Sequence, residues 1–228
     1  MDNYVKIGLL ILIIVIIIVG IYLLKKYVFK SQITLSSKQP ANTLTTISAS
    51  SIPSGITYNF TYSIWIYIDD WSYNYGSEKV IFTKGDSPKV SLGANENDLS
   101  VSMKLDGGSH TFICGLPDVP LQRWTNIIIT LNGRSMDLYL NGKLTRTCLL
   151  KAVPKIDTTS NLLLTPDGGF SGYTTNFKYW SDTVNPQQAW NIYKSGPGGN
   201  IFSNFLGNYK IEMNILNGND ITGTLSFL

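Results

Sequence analysis

The chain has 228 residues, 43% of them hydrophobic and only 14% charged, and a formal net charge of +3. An aromatic content of 12% excludes bulk disorder. Two cysteines exclude a disulfide-rich scaffold, and no repeat of collagen or coiled-coil type is present. The low net charge, with no Lys/Arg-rich run beyond the N-terminal flank, leaves no electrostatic footprint for nucleic acid. Setting aside one charge-free N-terminal stretch leaves a polar, aromatic-rich and Gly-rich remainder of about 170 to 190 residues. That length suffices for a single core burying roughly 70% of the unfolded surface, so one globular domain is expected.

Residues 1–6 form a short tail. The run from Ile7 to Leu24, IGLLILIIVIIIVGIYLL, contains no charge. Extended by Tyr27, Val28 and Phe29, it predicts a transmembrane helix over Ile7 to Phe29, long enough for a hydrocarbon core of ~30 Å. It ends in Leu23-Leu24-Lys25-Lys26 with no small-residue cleavage site, so it reads as an uncleaved anchor and not a signal peptide. Lys6 precedes the run, while Lys25, Lys26, Lys30 and Lys38 follow it. The positive-inside rule therefore places the C-terminal part on the cytoplasmic side. On that orientation the sequon Asn59-Phe60-Thr61 stays unmodified. Cys114 and Cys148 stay open between a disulfide and two buried free thiols, the second being the commoner state in a domain of this size.

Residues 30–43 are rich in Ser, Thr and Pro and predict a tether, with the folded domain at 44–228. Leu44 to Ile52 offers an edge strand. Beyond it the apolar period is two nearly everywhere. Phe60, Tyr62, Ile64, Ile66 and Ile68 alternate with Thr61 and Ser63, which predicts a long half-buried strand. Strands follow at Glu78 to Lys84, Lys89 to Leu92, Leu99 to Leu105 and His110 to Cys114. Trp124 to Leu131, Met136 to Leu140 and Leu144 to Leu150 are joined by Asn132-Gly133 and Asn141-Gly142. Both turn residues tolerate positive φ, so this is a three-strand antiparallel meander. Later strands are expected at Asn161 to Leu164, Thr174 to Trp180, Tyr209 to Ile215 and Ile221 to Phe227. One short helix is expected from Gln187 to Tyr193, capped by Asn185, opened by Pro186 and stopped at Gly196-Pro197. Many short strands with Gly and Asn turns predict an all-β sandwich.

The segments FTYSIWIYIDDW, KVIFTKGD, VPLQRWTNIIITLNGRSMDLYLNGKLTRTCLL and NFKYWSDTVNPQQAWNIYKSGPGG resemble the concanavalin A-like lectin/glucanase fold. The resemblance runs from about Leu44 to Gly199. The meander W-x-N-I…N-G-R…D-L-Y-L-N-G-K is common to laminin-G-like domains. Its coupling to PLQRW and to the late N-P-x-x-A-W-x-I-Y-x-S-G-P helix is similar to laminin-G-like domains of large double-stranded DNA viruses. The resemblance implies an antiparallel jelly-roll behind a single membrane helix. It further implies a non-enzymatic minor capsid or virion protein linking an internal membrane to the capsid shell. The partners would then be the lipid membrane and capsid or other virion proteins. The alternative is a membrane-anchored glycan-binding protein acting in attachment, with carbohydrate as partner.

The fold hosts several functions, so side chains must decide among them. Glucanases of this fold place E-x-D-x-E on one strand, where alternate carboxylates share a cleft. No such motif occurs here: Glu78, Glu96 and Glu212 are isolated from one another. His110 is the only histidine, and no phosphate-binding loop is present. The chain therefore reads as no enzyme and without a cofactor. Laminin-G-like domains often bind one Ca²⁺ at the sandwich rim, and Asp69, Asp70 and Asp86, with Asp167 and Asn95, offer hard oxygen ligands in loops. Their spacing matches no known loop motif, and Asp and Asn favour turns in any case. For glycans the candidate surface is the loop DDWSYNYG, with Trp71, Tyr73 and Tyr75. Against it, Trp71 and one Tyr can fold back over the sheet edge. Trp65, Trp124, Trp180 and Trp190 read as core or sheet-face packing, and Arg123, Arg134 and Arg146 as flanks of the meander.

Overall fold

The computed structural model describes residues 12–13, 15–16, 18–20, 32–52, 58–107, 110–198, 211–217 and 220–227. The chain divides into two compact units, Met1–Ile33 and Thr34–Leu228. In the first, residues 12–13, 15–16 and 18–20 are helical and largely exposed. The rest of the span expected over Ile7 to Phe29 lies outside the described residues. Among those described, no helix is long and apolar enough to cross a membrane.

The folded unit is built from two antiparallel sheets. One carries β1 (Gln32–Ser36), β2 (Gln39–Pro40), β13 (Ser171–Trp180), β4 (Asn59–Asp70), β9 (Thr125–Asn132), β10 (Ser135–Leu140) and β11 (Lys143–Leu149). Its order is β1-β13-β4-β9-β10-β11, with β2 also on β13. The other runs β3 (Thr45–Ile47), β12 (Leu162–Leu164), β5 (Lys79–Lys84), β6 (Lys89–Leu92), β7 (Leu99–Lys104) and β8 (Thr111–Leu116). β14 (Ile211–Asn217) and β15 (Asp220–Phe227) pair as a separate two-stranded hairpin. One 3-10 turn, Ala49–Ser51, follows β3.

Two sequence expectations are corrected here. The predicted tether of residues 30–43 contains β1 and β2, and β2 pairs Pro40 with Tyr173 and Gln39 with Thr174. Proline is tolerated because β2 lies on the outer side of β13, where one missing donor costs little. The expected strand from Leu44 to Ile52 shortens to β3 before the 3-10 turn, which Ser48 caps through Ser50 N.

The meander forms as its turns dictate. Asn141 (φ 51°) and Gly142 (φ 74°) sit in the left-handed region between β10 and β11. Gly142 has a second reason to lack a side chain: a Cβ there would lie 2.7 Å from Tyr193 Cβ. That close approach lets the helix α1 (Pro186–Lys194) seat on the sheet. α1 starts as predicted, with Pro186 in its first turn and a capping box between Asn185 and Gln188.

Between the sheets the core is apolar and aromatic. Phe60, Tyr62, Ile64, Ile66 and Ile68 are all buried, as are Phe82, Val101, Met103, Ile127, Ile129 and Leu138. Tyr62 lies 5.1 Å from Phe82, 5.0 Å from Tyr179 and 6.0 Å from Phe177 between ring centroids. Burial, with Tyr179 beside it, pushes the Tyr62 hydroxyl above its ordinary pKa. Cys114 on β8 and Cys148 on β11 are joined in a disulfide with a Cα–Cα distance of 6.2 Å. Each sits on the end strand of its sheet, so the bond closes that side of the sandwich. Arg146 adds a second tie by donating to Gly115 O at 2.8 Å.

Candidate functional site

The outward face of the larger sheet is occupied to an unusual degree. Register places Thr61, Ser63, Trp65 and Tyr67 of β4 on that face, beside Thr130, Ile128, Asn126 and the strand-leading Trp124. Thr61, Ser63, Trp65 and Asn126 are each at most 4% exposed. The alternation of Phe60 to Ile68 predicts a half-buried strand, but both faces are covered. The cause is α1 and the segment before it. Val184 and Ala189 pack on Ile128 and Tyr139, with Ile192 against them, as a second small core. Tyr193 stacks on Trp65 at 5.5 Å.

The helix covers the part of this face around Ile128, Tyr139 and Trp65. The remainder is a groove of about 490 Å³ lined by Thr34, Ser36, Ser37, Lys38, Trp124, Thr175, Asn176, Pro197 and Gly198. Its walls are fixed by hydrogen bonds. Asn176, in the β13 bulge at φ 50°, donates to Gly196 O at 3.1 Å. Thr175 donates to Pro197 O at 3.3 Å. Trp124 lies 5.6 Å from Tyr67. Lys38 Nζ sits 4.8 Å from the Tyr173 ring centre and 5.9 Å from that of Trp124, a cation over two aromatic faces. Among the described lining residues Lys38 carries the one formal charge.

The sites expected from sequence fare differently. In the loop after β4, the Trp71 indole N–H donates to Asn95 O at 3.2 Å, and the Lys79 ammonium lies 4.3 Å from the indole centre. Lys79 is fully buried and donates to Asn74 O and Ala94 O. Loss of hydration lowers its pKa. Trp71 thus lids a buried cation that pins two loops. Tyr73 is half-buried, and Asn74 donates to Gly169 O at 3.3 Å. Tyr75 alone stands out, at 64% exposed. No ring-to-ring contact joins Trp71, Tyr73 and Tyr75 among the aromatic pairs of the described residues.

The calcium trio is not assembled either. Asp69 and Asp70 end β4, whereas Asp86 lies past the far end of β5, six residues or about 20 Å of strand away. The Asp70 carboxylate accepts from Ser72 Oγ and Ser72 N, which lowers its pKa. Asp86 is paired with Lys104. Among the described residues no group of three or more His, Cys, Asp or Glu could hold a metal. Partial burial raises the Glu78 pKa, but bonds from Lys89 and Ser91 outweigh it and bring it down. Arg134 is spent on the carbonyls of Leu150 and Lys151. His110 is exposed just ahead of β8. Asn59 accepts from Gly133 N at 3.0 Å and Thr61 is fully buried, so an unmodified sequon carries no information about orientation.

Sequence reasoning missed the groove. Trp124 reads as packing and Lys38 as a flanking charge, because Lys38, Trp124 and Asn176 are brought together only by pairing across β1, β13, β4 and β9. One local signal existed: Trp124 and Asn126 share the outward face of a strand whose inward face is Ile127, Ile129 and Leu131.

Two antiparallel sheets of these strand orders define a lectin-like sandwich, with a polar aromatic groove on one outer face. The chain belongs to the concanavalin A-like lectin/glucanases superfamily, whose laminin-G-type model matches residues 41–190. No curated protein matches it in sequence. Among solved structures it is similar to the receptor-binding domain of a botulinum neurotoxin C/D mosaic serotype, with TM-score 0.57 and 15% identity over 71% of this chain and 43% of that one. The botulinum neurotoxin serotype D ligand-binding domain in complex with N-acetylneuraminic acid gives 0.56 and 16% over 71% and 43%. The binding domain of Paraclostridial Mosquitocidal Protein 1 gives 0.55 and 16% over 73% and 47%. At these identities the likeness establishes the fold alone, and the chain spans less than half the length of each.

Proposed function

We propose that the chain is a non-enzymatic recognition module, held at a membrane by the apolar segment Ile7 to Phe29, which binds glycans through the outer face of its larger sheet. The observation that carries this reading is the groove: a recess on the outer face of the sheet, lined by the half-buried Trp124 and by hydroxyls. Such a recess fixes an orienting ligand without supplying a nucleophile or acid pair. The sequence lacks the E-x-D-x-E strand of the glucanases of this fold, which supports binding over hydrolysis. The neurotoxin neighbours, one solved with N-acetylneuraminic acid, support the same class by analogy of fold.

Orientation has two arguments that pull apart. Lys25, Lys26 and Lys30 favour a cytoplasmic sandwich. The Cys114–Cys148 bond favours an oxidising side, since structural disulfides are rare in the cytosol. The bond belongs to the folded domain itself, so we take the oxidising side, where an attachment role operates. The flanking charge favours a second reading: a structural virion protein of a large DNA virus, anchored in an internal membrane and docked on the capsid shell. In either case tethering raises the effective concentration, so a weak site suffices.

The test is a glycan array probed with the full chain in nanodiscs. Binding to a defined set of glycans that is lost on Trp124→Ala, with the far-UV spectrum unchanged, is the expected result. No glycan bound, together with crosslinks to shell subunits in purified particles, would move the structural reading ahead.

A further inference from the structure

We infer that the groove selects a saccharide bearing one negative charge, a carboxylate or a sulfate ester, with Lys38 as its counter-charge. The inference rests on the glycan-binding reading above and names its ligand class. Lys38 is exposed, yet it does not swing freely. It precedes Gln39, which pairs with Thr174, and its ammonium rests over the rings of Tyr173 and Trp124. A cation so placed is pre-oriented at the groove, which limits the freedom lost when an anion binds. No carboxylate occurs among the described lining residues to neutralise it.

The rest of the lining suits a sugar ring. Trp124, half-buried beside Tyr67, supplies the aromatic surface of the lining, against which the C–H side of a pyranose can pack. The hydroxyls of Thr34 and Ser37 can each donate once and accept twice, while Ser36, whose Oγ donates to Ser37 O at 3.1 Å, can still accept from a sugar hydroxyl. Thr175 and Asn176 hold the opposite wall in place through Pro197 and Gly196, so they shape the groove while their own donors are engaged. A volume of about 490 Å³ lies within the range of small-ligand sites.

The experiment is saturation-transfer NMR on the full chain in phosphatidylcholine nanodiscs. The probes are N-acetylneuraminic acid, glucuronic acid and galactose 6-sulfate, set against the methyl esters of the two acids and galactose. The expected result is at least tenfold tighter binding of an acid than of its own ester at low salt. Lys38→Gln should erase that preference, Lys38→Arg should keep it, and 0.5 M NaCl should weaken it. Preference for the sulfate over both carboxylates would assign the charge to an ester. Equal binding of acid and ester, still sensitive to Trp124→Phe, would overturn the charge selection and leave the glycan reading standing. Acid preference unaffected by Lys38→Gln would overturn the assignment of Lys38. No saturation transfer to any of the sugars would overturn both.

Discussion

The two faces of the larger sheet are built from the same strands but obey different rules. The inward face is sealed: Ile64, Ile66, Ile127 and Ile129 meet Phe82 and Met103 across the sandwich, all at most 2% exposed. The outward face is mixed. Thr61, Ser63, Trp65 and Asn126 are also buried, but under a helix and with hydrogen bonds among them, such as Asn126 to Ser63 Oγ and Thr61 with Thr130. Where the helix stops, the same face opens into the Lys38–Trp124 groove. Burial holds the first face together. The second face divides between a smaller core and a surface that remains available to a ligand.

That contrast is sharpest under substitution. The largest loss is expected from Phe82→Ala, which empties the centre of the Tyr62–Phe82–Phe177 cluster. Urea titration should show about 3–5 kcal/mol of destabilisation. Ile128→Ala, on the opposite face beneath α1, should cost less, roughly 2–3 kcal/mol, because the cluster it sits in is small, with Ile192 only partly buried. Hydrogen exchange should then quicken in α1 before the inner strands. If the two variants lost stability equally and exchanged alike, the faces would be one cooperative core and the distinction would fail.

Reduction of Cys114–Cys148 tests the side of the sandwich instead of a face. The bond closes a sequence separation of 34, so its loss should cost about 2–4 kcal/mol in a reductant-controlled denaturation. Asn185→Ala should cost about 1 kcal/mol, felt as fraying of the first turn of α1. Lys38→Gln should cost little stability, at most about 1 kcal/mol, the worth of an exposed cation over an aromatic face. An appreciable drop would make Lys38 a structural residue and remove it from the groove's recognition role.

What the residues announce follows the range of the interaction. The Asn-Gly turns, the alternation of Leu99 to Lys104 and the Asn185-Pro186 start are local chemistry and lead directly to the meander, β7 and α1. β1 and β2 were hidden because Ser36, Ser37, Lys38 and Pro40 have a linker's composition, and only β13 makes them strands. The coverage of Thr61 and Ser63 was hidden because their polar side chains indicate solvent, while the cover arrives from residues more than a hundred positions later, as in the bond from Thr61 to Asp182 O. The candidate site suffered most. Trp71, Tyr73 and Tyr75 are clustered in sequence, but Trp71 is engaged by Asn95 and Lys79 while Tyr75 is exposed. Lys38, Trp124 and Asn176 share a groove with no sequence proximity at all.

The most direct test of the account is where the chain touches its partner in native membranes. A photo-crosslinking residue placed at the groove-lining Ser37 should capture a glycosylated partner, with Ser102 on the outer side of β7 silent as the control. Capture through glycan-bearing peptides from Ser37 alone is the result predicted. Capture from Ser102 with Ser37 silent would put recognition on the smaller sheet and contradict the account.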